Sequence, residues 1–142
     1  MTRALYDPIR KKLKMMAGCL DELKQNLPQT KTQFLKAGVV MHGFTERKCQ
    51  VAIECAIDAN NLLISITGGS TPESARESFR AVFELGAIDQ EIRSAFFFKF
   101  VPFRNRIVHV YEDLDAQIVY ESTQSLLDYG RRYIQQMTAY LA

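Results

Sequence analysis

The sequence predicts an all-α fold, an antiparallel bundle of about five helices. Apolar residues recur at steps of three and four through most of the chain. The breaks between those runs fall on Gly, Pro and good N-cap residues. No segment shows the alternation between hairpin turns that marks a strand. At 142 residues the chain forms a single domain, 1–142, large enough for a real core.

The first helix spans about residues 3–27. Ile9, Leu13, Met16, Leu20, Leu23 and Leu27 form a heptad seam, and Arg10, Lys11, Lys14, Asp21, Glu22 and Lys24 occupy its other faces. Pro28 ends it, because the residue before proline avoids helical angles. Thr30 is an N-cap for a short turn. Gly38 and Gly43 interrupt the chain before a second long helix over about 45–67. One apolar stripe there runs through Ala52, Cys55, Ala56, Ala59, Leu62, Leu63 and Ile66, and a second through Ile53, Ile57 and Ile64. Two apolar faces imply burial on two sides, hence a central position or a subunit contact. Gly68-Gly69 stops this helix. A third covers 72–85, with Pro72 at an N1-like position and Gly86 closing it. Asp89 caps a fourth, in which Pro102 forces a kink or a fresh start. The last helix begins near Asp115 and buries Ile118, Val119, Leu126, Leu127, Tyr133, Ile134, Met137 and Leu141.

Composition excludes several classes. Hydrophobic content of 47% with 24% charged residues suits a globular chain rather than a disordered one. No apolar run approaches the roughly 18 residues of a membrane span, and the charged N-terminus lacks a secretory h-region, so the expected location is the cytoplasm. Cys19, Cys49 and Cys55 are odd in number and lack Cys-x-x-Cys spacing, which points to buried hydrophobes rather than disulfides or zinc ligands. His42 has no metal-ligand spacing either. A net charge of +2 is too small to announce nucleic acid, so any such contact needs a local basic patch.

One stretch gathers that chemistry: Pro102-Phe103-Arg104-Asn105-Arg106-Ile107-Val108-His109-Val110-Tyr111. On a helix, Asn105 and Arg106 share a face with His109. Arg104 lies about 140° round from it and approaches only through its long side chain or a kink at Pro102. Histidine can act as base or acid near neutrality, and arginine is a bidentate phosphate clamp. A histidine near a helix end can also merely complement the terminal carbonyls. One chain offers one suitable histidine; a twofold dimer bringing two copies of 104–111 together would offer two in one cleft.

Arg104-Asn105, three residues, His109, one residue, Tyr111 resembles the signature of the HepT-like toxins of the HEPN superfamily. The likeness covers at least 45–134, through Ala52-Ile53-Glu54 to Ala59-Asn60, Ser74 to Phe83, Gly86-Ala87-Ile88 and Val119-Tyr120. The resemblance implies a homodimeric, metal-independent endoribonuclease that needs no cofactor, the toxin of a toxin–antitoxin pair. Its catalytic arginine and histidine fall on Arg104 and His109, with Asn105 as the polar residue after the arginine; beside the resemblance, the charge of Arg106 and the amide of Asn105 make both candidates for supporting RNA binding. It also implies an antitoxin partner, a MntA-like nucleotidyltransferase that silences the toxin by AMPylation of Tyr111. Two other readings stay open: a non-catalytic nucleotide- or RNA-binding helical module, and a structural dimer whose motif caps a helix.

Overall fold

A computed structural model of the chain describes residues 2–109 and 114–142, with side chains from residue 4. All regular structure among these residues is helical: α1 (Thr2–Leu5), α2 (Asp7–Asn26), α3 (Lys31–Lys36), α4 (Val39–Ile66), α5 (Ala75–Glu84), α6 (Gln90–Ala95), a π turn (Phe96–Phe100), α7 (Val101–His109) and α8 (Ala116–Leu141). The expected first helix therefore arrives in two pieces, divided at Tyr6. Its seam is as read from the sequence, with Ile9, Leu13, Met16, Leu20 and Leu23 buried.

Local signals explain most boundaries. Thr30 forms a full capping box with Gln33 at the start of α3. Gly68, at φ 83°, lets the Gly69 N–H reach back to the Ile64 carbonyl, closing α4. Asp89 Oδ1 accepts the Ile92 N–H and Asp115 Oδ1 the Gln117 N–H, opening α6 and α8.

Three sequence expectations are corrected. α4 starts at Val39, not near 45. Gly38, at φ 89°, is the break, whereas Gly43 lies within the helix. Thr45 Oγ1 donates to the Met41 carbonyl across that turn, and His42 Nε2 lies 2.7 Å from the Phe34 carbonyl, so side chains hold what glycine loosens. α5 starts three residues later than expected because Ser74, beyond Pro72, is the residue that accepts the capping N–H, from Glu77. Ile118 is 38% exposed rather than buried.

α4 is the central helix, packed by α2, α5, α7 and α8, as its two apolar stripes require. By length and composition it could cross a membrane, which the sequence reading did not anticipate; 56% of its apolar window is instead buried within the bundle. Beside it, Phe79 stacks on Phe96 (4.6 Å, 15°), and Phe96 also meets Phe100 and Tyr133. A polar chain crosses this aromatic core. The Tyr133 hydroxyl donates to Asn60 Oδ1 (2.6 Å) and lies 3.0 Å from the Ala56 carbonyl; Asn60 Nδ2 donates to Ser78 Oγ (3.1 Å). It ties α8, α4 and α5 together. All three cysteines are free and buried.

Candidate active site on helix α7

The helix that carries the polar cluster is set by the run before it. From Gln90 to His109 the chain stays helical, but at Phe96–Phe100 the hydrogen bonds step back five residues instead of four, and the Val101 N–H donates to the Phe96 carbonyl. Pro102 is then the second residue of α7. Its ring needs room against the preceding turn and it has no N–H to give. The widened turn meets both demands, so the kink or fresh start expected at Pro102 takes the form of a π turn.

Buried Phe96, Phe100, Val101 and Phe103 hold this run on the core, so the polar residues of α7 project from a fixed base. Arg104 is half-buried, and its Nε is a buried side-chain nitrogen with no hydrogen-bond partner among the described residues. Such orphans are uncommon, because a desolvated donor left unpaired costs about 1–3 kcal/mol. A guanidinium N–H held out of water and unused by the protein suits an anionic ligand. Asn105 is half-buried, Arg106 exposed, and His109 exposed at the last position of α7. The four thus share one short helix, with Asn105 a turn before His109 and Arg104 turned about 140° from it. Tyr111 lies outside the described residues.

Sequence reasoning missed three contributors. Lys99 Nζ donates to Ser125 Oγ (2.7 Å), placing a further positive charge on the same helical run. Phe98 is 65% exposed on that run, whereas Phe96 is fully buried. Arg76 reaches from α5 to the Phe97 carbonyl. The available signal was the spacing of Ile92, Phe96 and Phe100: two successive steps of four drift off an α-helical stripe by about 40° each, unless a wide turn absorbs them.

Arg104, Asn105 and His109 thus stand on a helix packed against the central member of the bundle. Residues 16–137 match the family profile described as "Ribonuclease HepT-like". The chain belongs to that family.

Solved structures share the fold. A Shewanella oneidensis HEPN toxin, tri-AMPylated and in complex with an MNT antitoxin, superposes with a TM-score of 0.82 at 24% identity, covering 92% of this chain and 96% of that one. A toxin–antitoxin crystal structure with AMP-PNP gives 0.84 at 24% identity, covering 94% and 98%. YutE, a cytosolic protein of unknown function from Bacillus subtilis, gives 0.80 at 16% identity, covering 95% and 89%. Comparison with curated proteins finds no match.

Proposed function

We propose that this chain is the toxin of a toxin–antitoxin pair, a metal-independent endoribonuclease that acts as a homodimer in the cytoplasm. The observation that carries the reading is the unpartnered, buried Nε of Arg104, five residues before an exposed His109 in a chain of the HepT-like ribonuclease family.

Cleaving RNA without a metal needs a base for the 2′-hydroxyl proton, an acid for the departing 5′-oxygen, and positive charge where the phosphorane builds up negative charge. Arg104 grips the scissile phosphate through its fork of N–H donors. His109 moves the proton. Asn105 and Arg106 hold the flanking backbone. Because one chain supplies one such histidine, two copies of α7 facing each other across a dimer axis supply both the base and the acid.

Silencing follows the same electrostatics. A MntA-like nucleotidyltransferase would transfer AMP from ATP to the Tyr111 hydroxyl, releasing pyrophosphate. The product places a bulky anion two residues from His109, where it repels an RNA phosphate. The Shewanella toxin found AMPylated on an MNT antitoxin supports this partner class.

Arg104→Ala and His109→Ala are each expected to lower RNA cleavage by about 10²–10⁴-fold while the melting temperature holds. Wild-type cleavage by either homodimer overturns the assignment, and RNA binding without turnover by the unmodified wild type would favour a binding module. After incubation with the transferase and ATP, mass spectrometry is expected to find AMP on the peptide containing Tyr111, and Tyr111→Phe to lose it. AMP confined to other tyrosines refutes the silencing step.

A further inference from the structure

We propose that Arg76 is a positioning residue for Arg104: it supplies the hydrogen bond that Pro102 cannot, and thereby fixes the rotation of α7. The effect on α7 stands on the backbone alone; its catalytic consequence rests on the ribonuclease reading above.

A helical carbonyl that loses its intrahelical donor takes another, from a side chain or from water. In the π turn the Val101 N–H serves the Phe96 carbonyl. One step on in that register, the Phe97 carbonyl would await the N–H of residue 102, which is proline and has none. Arg76 Nε donates to that carbonyl instead, at 3.0 Å. The same guanidinium lies over the Phe97 ring, with Cζ 4.6 Å from its centroid, so Arg76 grips one residue in two ways.

The element bearing Arg76 is itself fixed. α5 is capped by Ser74, stacked through Phe79 on Phe96, and tied by Ser78 to Asn60 and Tyr133. Arg76 therefore refers the start of α7 to the core. Two residues after Pro102 comes Arg104, whose Nε no described side chain or carbonyl holds. The direction of that guanidinium is inherited from the backbone beneath it, and a displacement of about 1 Å at a reacting group can cost on the order of 10² in rate.

The test is a double-mutant cycle in the full chain, with Arg76→Ala, Pro102→Ala and the two combined. Pro102→Ala restores an N–H that can serve the freed carbonyl, so Arg76 should then become dispensable. Two readouts are taken: amide hydrogen exchange across Phe103–Ile107, and kcat and KM for RNA cleavage. Arg76→Ala is expected to speed exchange there, and to lower kcat with little change in KM, by about tenfold each, the worth of one hydrogen bond. The combined variant should return to within about threefold of Pro102→Ala alone. Unchanged exchange in Arg76→Ala overturns the proposal, as does a combined variant whose losses simply multiply; the latter is what direct contact of Arg76 with RNA would give. If the wild type cuts no RNA but exchange follows the predicted cycle, the ribonuclease reading fails and the hold of Arg76 on α7 stands.

Discussion

Two enclosed polar atoms, the Tyr133 hydroxyl and the Nε of half-buried Arg104, meet opposite fates. The Tyr133 hydroxyl is fully enclosed and satisfied by Asn60 and the Ala56 carbonyl, and its burial raises its pKa well above the ordinary value. Arg104 Nε is enclosed and unsatisfied. The first arrangement stabilises, and the second leaves a desolvated donor that the proposed RNA phosphate would satisfy. Tyr133→Phe leaves Asn60 Oδ1 without its donor inside the bundle and is expected to cost about 1–3 kcal/mol in urea unfolding, with RNA cleavage at low temperature kept. A loss under about 0.3 kcal/mol would show that the chain from Tyr133 to Ser78 adds little net stability. The sequence marked Tyr133 as a core or interface ring but not its partner. Asn60 sits between the two apolar stripes of α4, and only the arrival of α8 and α5 shows why an amide is buried there. Arg104 and His109 were singled out because their spacing resembles the family's signature. That the Arg104 Nε would be enclosed was not, since enclosure depends on the helices around α7.

At the level of elements, repeating patterns were legible and single-residue exceptions were not. The seam of α2, the stops at Pro28 and Gly68, and the caps at Thr30, Asp89 and Asp115 are local chemistry, and the structure follows them. Gly43 failed as a breaker because a glycine inside a helix costs only about 1 kcal/mol, which packing along a 28-residue helix outweighs. Tertiary fit likewise decides Gly130 on α8. A Cβ there would stand 3.0 Å from Leu20 Cδ1 and 3.4 Å from Met16 Cε of α2, so the absent side chain lets the two helices close. Nothing in the local sequence distinguishes it from the glycines that end helices. The π turn is the same kind of case: Pro102 announced an irregularity, but its form follows from keeping Phe96, Phe100 and Phe103 on one core.

For the molecule as a whole, burial of the three thiols couples stability to alkaline pH. Burial pushes Cys49 up to about 12 and Cys55 up to about 11, and raises Cys19 as well, from an ordinary 9.0. Their folded-state pKa values lie above the unfolded ones, so the native chain holds these protons longer. Their contribution is fully present below about pH 9 and is lost as pH rises from there through the folded values. The urea midpoint is expected to fall between pH 8 and pH 10.5, and Cys49→Ala should flatten part of that slope. An unchanged slope in the variant would show that other groups set it.

The widened turn at Phe96–Phe100 also bears on how such a chain can diverge. It amounts to one surplus residue wound into a helix: five residues at roughly 80° each sweep nearly the same angle as four α-helical residues at about 100°. Dropping one of the five and closing the coil to an α-helix would therefore leave Arg104 and His109 facing much as they do now. Descent can shorten this segment by one residue without turning the motif away, provided the phenylalanines still reach the core.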